Sequence, residues 1–226
     1  MIRYNFSAEI ANIFLDRPQR AHAYTPDMLL ELQQVLEKLN NQTVCIISST
    51  GEKHFCAGAD KDTLSGRKAE DALTLVSQKV FDFIARSDTI FIAAMNGPAV
   101  AGGCELALAC DLRVAHPRTF FSLPEVSLGL IPAAGGCTRL VKLLGTSIAK
   151  GVILGGGRIS SEQAERWGLV HRISAEPLEE ASKWAQEILK KDALALRLAK
   201  SVLNEPSLLA ERLAEALLYE RKKEGL

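Results

Sequence analysis

The chain has 226 residues, of which 47% are hydrophobic, and a formal net charge of zero. This length and composition predict an ordinary globular protein that buries a substantial core. Because the net charge is zero and no run of Lys and Arg reaches five residues, the sequence shows no electrostatic footprint for a nucleic-acid duplex or a membrane surface as the main partner.

The cysteines and the chain start bear on the compartment. The five cysteines include no Cys-x-x-Cys pair, and we expect them to be reduced and packed in the interior. The first 18 residues lack the basic head and long apolar stretch of a secretory signal. The longest apolar region, residues 90–115, is interrupted by polar and charged residues and is no membrane span. The sequence therefore predicts a cytoplasmic protein.

The first elements follow from local patterns. Residues 2–6 and 9–15 predict a hairpin that ends at Arg17-Pro18. Thr25 is a predicted helix cap, because Pro26 suits a first helical position and an apolar stripe with helical spacing follows. The all-apolar start of residues 44–49 then predicts a buried strand.

The pattern alternates in the middle of the chain and changes near its end. A helix over residues 69–86, a strand over Ile90–Met95 and a helix after Gly102 predict parallel βαβ units with the helices outside. From about residue 173 three amphipathic helices follow without a strand, and their apolar stripes must pack on the core or on a neighbouring subunit. We divide the chain into a core, 1–172, and a C-terminal helical region, 173–226.

In the segment Gly102 to Asp111, one acid, Glu105, lies inside the apolar run that begins with two glycines and precedes Asp111. An ionised carboxylate there is costly unless it has a partner or a use. A strand and turn precede the glycines, so Gly102 stands at a helix start, where unpaired N–H groups and the helix dipole favour negative charge.

A second acid, Glu125, stands among apolar neighbours twenty positions further on. A lone buried Glu is more often a salt bridge or helix cap than a catalytic group. Two such carboxylates beside an anion-stabilising helix start favour acid/base chemistry on a substrate activated by a carbonyl group.

Four segments carry a family resemblance: CAGAD from Cys56, NGPAVAGGCELALACDLRVA from Asn96, LPEVSLGLIPAAGG from Leu123 and GRISSEQAERWGLV from Gly157. In order and spacing they resemble the enoyl-CoA hydratase/isomerase (crotonase) superfamily over nearly the whole chain. The resemblance implies an α/β fold, a spiral of ββα units with a C-terminal helical region used in trimer assembly. It also implies a homotrimer or a dimer of trimers.

The resemblance assigns an oxyanion hole to the backbone N–H groups of Ala59 and Gly102. A small residue and a glycine suit this role, because a thioester carbonyl must approach the backbone closely. On spacing alone, tight helix packing would explain the glycines equally well. Their place ahead of Glu105, with the Ala59 loop upstream, favours the functional interpretation.

Glu105 and Glu125 match the two catalytic glutamates of the hydratase branch. There, the residue matching Glu125 exchanges the proton and the one matching Glu105 holds and polarises the water. Which carboxyl is protonated is left open, because a coupled pair titrates as a unit. Several isomerases of the superfamily keep only one of these acids, so the presence of both favours hydration over double-bond migration.

Coenzyme A follows from the resemblance and not from a phosphate motif, since no Walker or dinucleotide loop is present. It enters as the thioester substrate, so no separate cofactor is expected. The family binds the nucleotide mainly through backbone groups, and we expect this site at two stretches of the chain. The first comprises Arg20, Ala21 and His22, and the second comprises Ala57, Ala59, Asp60, Lys61 and Asp62. Gly102 is expected to lie beside the thioester. The charges of Arg20 and Lys61 would assist, and Asp60 is expected mainly to anchor its own loop.

The histidines lack the spacing of metal ligands, and no metal is predicted.

Two features depart from the family pattern. The sequence ends at Leu226, before a further helix that many relatives carry, so we expect the adenine end to be either more open or covered by a neighbouring subunit. Ala23 to Pro26, Ala-Tyr-Thr-Pro, replaces a more usual leucine-rich version and predicts an unusual acyl preference.

The resulting hypothesis is a lyase of fatty acid metabolism that hydrates a 2-enoyl-CoA to 3-hydroxyacyl-CoA through an enolate-like state. One alternative is another crotonase reaction, such as isomerisation, or dehydration or decarboxylation of a carrier-bound acyl group. A second is a non-catalytic or RNA-binding relative, which the absence of a lysine-dense face disfavours.

Overall fold

The computed structural model describes residues 1–39, 43–66 and 68–223. The strands are β1 (Ile2–Phe6), β2 (Ile10–Leu15), β3 (Val44–Ser49), β4 (Ile90–Met95), β5 (Ala99–Val100), β6 (Leu112–Ala115), β7 (Phe120–Ser122), β8 (Ile159–Ser160) and β9 (Arg172–Ile173). The helices are α1 (Pro26–Leu36), α2 (Lys61–Ser65), α3 (Ala69–Leu73), α4 (Val76–Arg86), α5 (Gly102–Ala109), α6 (Gly136–Ile153, kinked at Gly145), α7 (Ser161–Arg166), α8 (Pro177–Leu189), α9 (Ala193–Asn204) and α10 (Leu208–Lys223). The predicted α/β class is confirmed.

The strands form two sheets, and successive turns of the chain contribute strands to both. The larger has the order β1-β2-β3-β4-β6-β9, with β1 antiparallel to β2 and the rest parallel; the smaller has the order β5-β7-β8. β4 and β6 in the large sheet are followed by β5 and β7 in the small one, and Cys56, after β3, bridges to Ala99 of β5. This repeat, with helices between turns, is the spiral of ββα units that the resemblance implies.

The central strands β3 and β4 are buried throughout because both faces of the large sheet are covered. In β3, Cys45 and Ile47 face a core formed with α1, α4 and α5, whereas Val44 and Ile46 face a second core formed with α8. Successive side chains of a strand point to opposite faces, so a doubly covered strand favours apolar residues on both faces.

The predicted N-terminal elements are confirmed. β1 and β2 form the hairpin, with Ile2 paired to Leu15. The Thr25 hydroxyl caps α1 by accepting a hydrogen bond of 3.3 Å from the N–H of Met28, with Pro26 in the first position.

The single helix predicted over residues 69–86 is wrong. The chain forms two helices there, α3 and α4, separated by the non-helical backbone of Thr74 and Leu75. The break turns the buried Leu75 side chain toward the cavity described below. Burial of that leucine outweighs the weak preference of the segment for one continuous helix.

The C-terminal helices differ in how they pack. α8 covers the outer face of the large sheet, and Lys200 of α9 is buried and bonds to Asp111 and to the carbonyl oxygens of Ile84 and Thr89. α10 packs on α9 and keeps apolar side chains more than half exposed: Leu208, Leu209, Leu213 and Leu217. The division after residue 172 stays a prediction; β9 ends at Ile173, and the last three residues of the region lie outside the described part.

The described residues include no helix that combines the length and apolar character needed to cross a membrane. Their His, Cys, Asp and Glu side chains form no group of three or more that could hold a metal ion.

Candidate active site

A cavity of about 450 Å³ lies between the loop before α2, the start of α5 and the turn after β7. It contains eight of the residues singled out from the sequence: Arg20, Ala57, Ala59, Asp60, Lys61, Gly102, Glu105 and Glu125. Most of the remaining lining is apolar: Ala23, Leu64, Leu75, Val100, Ala101, Pro124, Leu128, Leu130, Ile131, Ala133 and Ala134, with Tyr24 and Ser77 adding hydroxyl groups. An apolar chamber with a few converging polar groups is the usual form of a small-molecule site.

Two backbone N–H groups at this cavity, those of Ala59 and Gly102, take no part in the hydrogen bonds found among the described residues. Ala59 pairs with Tyr24 in a parallel bridge, but the bridge uses the N–H of Asp60 and the carbonyl oxygen of Gly58. Gly102 is the first residue of α5, so its N–H precedes the intrahelical ladder. Both groups are therefore available to an acceptor in the cavity.

Close packing of backbone holds the two loops together. A Cβ at Gly58 would lie 2.8 Å from the nitrogen of Gly102, and a Cβ at Gly103 would overlap the carbonyl oxygen of Cys56. Side chains at these positions would force the Ala59 loop away from the start of α5. The glycines therefore bring the two N–H groups to one side of the cavity.

The residue before Gly102 is strained. Ala101 has φ +52° and ψ −128°, and its N–H donates to the carbonyl oxygen of Ser122. A non-glycine residue at such a φ is uncommon, and strain of this kind concentrates at functional sites. Since ψ of Ala101 orients the peptide that carries the Gly102 N–H, this backbone geometry directs the donor.

Glu105 lies one turn into α5 and is 4% exposed. Its Oε1 accepts a hydrogen bond of 2.9 Å from the N–H of Gly136, the first residue of α6. A helix N-terminus stabilises negative charge, so this contact favours the ionised form of the carboxyl group. The contact also fixes the carboxyl group at the cavity wall.

Glu125 begins a short 3₁₀ turn after β7 and is 8% exposed. Its Oε2 is buried and has no hydrogen-bond partner among the described residues. The pKa of Glu125 is raised from 4.5 to about 7, chiefly because burial disfavours the charged form. A backbone hydrogen bond partly opposes this shift, and the nearby charge of Glu105 contributes to it. A carboxyl group with such a pKa holds and releases a proton near neutral pH.

Charged side chains form the rim. Arg17 Nη1 contacts Asp60 Oδ2 at 2.5 Å, and Asp60 Oδ1 accepts from the N–H of Asp62 at 3.0 Å. Both bonds lower the pKa of Asp60, and the bond from Arg17 has the larger effect. They fit the loop-anchoring role predicted for Asp60. Arg20 and Lys61 line the cavity beside Asp60.

Three residues predicted near the nucleotide lie outside the cavity lining found in the described chain: Ala21, His22 and Asp62. His22 is 2% exposed, and its Nδ1 accepts a hydrogen bond of 3.2 Å from the N–H of Arg17. Its side chain therefore supports the turn from Arg17 to Ala23. The role of these three residues in binding CoA stays a prediction.

Sequence reasoning missed several lining residues. Tyr24 lies in the segment noted as atypical, but nothing local shows that its side chain reaches Gly102. Leu75 and Ser77 belong to a stretch predicted as one amphipathic helix, whose break brings Leu75 inward. The apolar run after Glu125 was a usable signal in the sequence, and the structure places Leu128, Leu130 and Ile131 partly exposed at the cavity.

The site thus combines two backbone donors with two buried carboxyl groups in an apolar chamber, the equipment of an acid/base catalyst acting on a carbonyl compound. A family model described as enoyl-CoA hydratase/isomerase matches residues 5–223. Crotonyl-CoA hydratase of Syntrophomonas wolfei is 38% identical over 204 residues, 87% of this chain and 78% of the relative. The short-chain-enoyl-CoA hydratase of Clostridium acetobutylicum is 34% identical over 207 residues, with the same two coverages. The chain belongs to the enoyl-CoA hydratase/isomerase family.

Solved structures agree with this assignment. Enoyl-CoA hydratase from Bacillus anthracis superposes with a TM-score of 0.89 at 33% identity, covering 97% of this chain and 89% of the other. A Thermobifida fusca protein in complex with CoA gives a TM-score of 0.89 at 29% identity, covering 98% and 94%. The similarity extends over the whole architecture and confirms the crotonase-like fold.

Proposed function

We propose that this protein adds water across the C2=C3 double bond of a 2-enoyl-CoA thioester and releases 3-hydroxyacyl-CoA. The observation that carries this proposal is that Glu105 and Glu125 face one cavity beside the N–H groups of Ala59 and Gly102. The hydratases named among the relatives and the relative that holds CoA support it.

The two N–H groups account for the activation of the thioester. When water attacks C3, the electrons of the double bond move toward the thioester oxygen, which becomes enolate-like. Ala59 and Gly102 donate to that oxygen, and donors aimed before the reaction are each worth about 3 to 4 kcal/mol in the barrier. The glycine packing at Gly58 and Gly103 holds the two donors in place.

The two carboxyl groups divide the handling of water. Glu105, ionised and held by Gly136, accepts a hydrogen bond from the water and orients it. Glu125 in its protonated form gives its proton to C2 and takes one from the water as the C3–O bond forms. One molecule of water is added in total, and Glu125 returns to its starting state. Its pKa of about 7 suits this exchange.

The apolar part of the chamber suits the acyl chain. Leu64, Leu75, Leu128, Leu130 and Ile131 line it, and the charged rim at Arg20 and Lys61 suits the phosphates of CoA. CoA arrives and leaves as part of the substrate, so we propose no separate cofactor.

Assembly and compartment complete the proposal. We propose that the chain forms a homotrimer or a dimer of trimers, which the exposed leucines of α10 support. We also propose a cytoplasmic enzyme of fatty acid metabolism, which the sequence pattern and the family resemblance support. Light scattering on the purified chain tests the assembly: a mass of three or six times 24.6 kDa is expected, and a monomer contradicts it.

Loss of the absorbance of the conjugated thioester tests the activity. Crotonyl-CoA and longer 2-enoyl-CoA thioesters are the probes, and turnover of at least one is expected. If none is hydrated, the proposal fails, and 3-enoyl-CoA thioesters then test the isomerase alternative.

A further inference from the structure

We propose that the Tyr24 hydroxyl is a third hydrogen-bond donor to the thioester oxygen, beside the N–H groups of Ala59 and Gly102. The inference rests on the proposed function, because it assigns a further catalytic residue to the same site. Tyr24 touches both loops that carry the proposed backbone donors.

The Tyr24 backbone holds the first loop. Its N–H donates to the carbonyl oxygen of Gly58 at 2.8 Å, and its carbonyl oxygen accepts from Asp60 at 2.9 Å. These bonds bracket Ala59 and turn its own N–H away from the bridge. Tyr24 therefore positions the Ala59 donor whatever its side chain does.

The Tyr24 side chain reaches the second loop. A Cβ at Gly102 would overlap the Tyr24 hydroxyl and lie 2.7 Å from Cζ. The phenol thus fills the space that a side chain at residue 102 would take, next to the peptide that carries the second donor. The absence of a side chain at Gly102 serves this contact as well as approach by the substrate.

The ring is rigidly held. Tyr24 is 5% exposed, and its ring packs edge-on against Phe81 with the centroids 6.0 Å apart. Its remaining surface lines the cavity. A hydroxyl fixed in this way needs little reorganisation when charge develops nearby, which is the condition for electrostatic stabilisation of an enolate.

The proposed stabilisation of the enolate depends on the Tyr24 hydroxyl and not on the ring. A phenol O–H donates to an oxygen that gains negative charge, and such a bond strengthens as the charge forms. Removing it therefore lowers kcat more than it raises KM, because the bond is stronger in the transition state than in the bound substrate.

The test uses Tyr24→Phe, which keeps the ring, its contact with Phe81 and the backbone bonds. Acetoacetyl-CoA is the first probe, because a β-keto thioester bound at three donors shifts toward its enolate and gains an ultraviolet band. We expect the band with the wild type, a loss of at least fivefold in its intensity with Tyr24→Phe, and unchanged affinity for CoA alone. With crotonyl-CoA we expect kcat to fall about tenfold or more and KM to change less than twofold.

Tyr4→Phe is the matched control, since Tyr4 lies on β1 and is 46% exposed; it should behave as the wild type. Tyr24→Met, which also lacks the hydroxyl, replaces Tyr24→Phe if that variant does not fold. An enolate band and kcat in the variant equal to those of the wild type overturn the inference. So does a wild type that hydrates crotonyl-CoA without forming the band. A wild type that forms the band without hydrating any 2-enoyl-CoA contradicts the proposed function alone, and the comparison of bands still decides the role of Tyr24.

Discussion

Glu105 Oε1 accepts a hydrogen bond of 2.9 Å from the N–H of Gly136, 31 residues further along the chain. The contact joins the helix that carries one carboxyl group to the N-terminus of α6. A Cβ at Gly136 would lie 3.0 Å from that oxygen and 2.6 Å from Cβ of Pro132. The carboxyl group, the glycine and the proline turn therefore form one closely packed unit at the cavity wall.

Gly136→Ala should displace Glu105 and lower kcat with crotonyl-CoA by about 10- to 100-fold, because small misplacements of catalytic groups are costly. Gly151→Ala in the same helix is the matched control, since a Cβ there meets nothing within 4 Å; it should leave kcat unchanged and stabilise the helix slightly. Steady-state kinetics decide the point: equal activity of both variants contradicts the positioning role of this contact.

Glu125→Gln should reduce kcat by about 10² to 10⁴, because an amide is too weak an acid and too weak a base to exchange a proton with C2 and water. Glu165→Gln is the matched control, because it makes the same substitution on the exposed face of α7, outside the site. Affinity for CoA, measured by calorimetry, should be the same in both variants. Turnover of Glu125→Gln at the wild-type rate would remove this residue from the mechanism.

The pKa of Glu125 predicts a pH dependence of stability. Between its usual 4.5 and its folded value of about 7, the folded protein holds a proton that the unfolded chain has released. The stability contributed by this group is therefore full below about pH 4.5 and is lost as the pH rises through about 7. In urea unfolding, the free energy of unfolding of the wild type relative to Glu125→Gln should fall across this window. A difference that stays constant or grows with pH contradicts the assigned pKa.

Lys200→Met should lower the free energy of unfolding by about 3 kcal/mol or more, because it leaves the carboxylate of Asp111 buried without its cation. In the folded protein Lys200 Nζ lies 2.8 Å from Asp111 Oδ2, and burial raises the pKa of Asp111 against the effect of this pair. Lys183→Met removes the exposed pair with Glu179 and should cost less than about 0.5 kcal/mol. Similar unfolding midpoints for the two variants contradict the anchoring of α9.

Local sequence patterns predict much of this fold. The Thr25 cap, the hairpin and the buried strands β3 and β4 follow from periodicity and capping rules that act over a few residues. The break at Thr74 and Leu75 does not, because it depends on a cavity formed by distant segments. Propensity favours one helix there, and tertiary packing overrides it.

The candidate site was predictable in its residue types and less so in its supports. The resemblance assigns Glu105, Glu125, Ala59 and Gly102, and all four line one cavity. The bond from Gly136 to Glu105 and the reach of Tyr24 to Gly102 are contacts over long sequence separations. No period or spacing in a single sequence encodes such contacts.

A double-mutant cycle on Glu105 and Glu125 tests whether both carboxyl groups act on one water molecule. Initial rates of crotonyl-CoA hydration are measured for the wild type, Glu105→Gln, Glu125→Gln and the double variant. Each single change should lower kcat by about 10² to 10⁴, and the double variant should be about as slow as the slower single variant, because groups that act as a unit are not additive. A double variant whose defect equals the product of the two single defects would contradict the shared water.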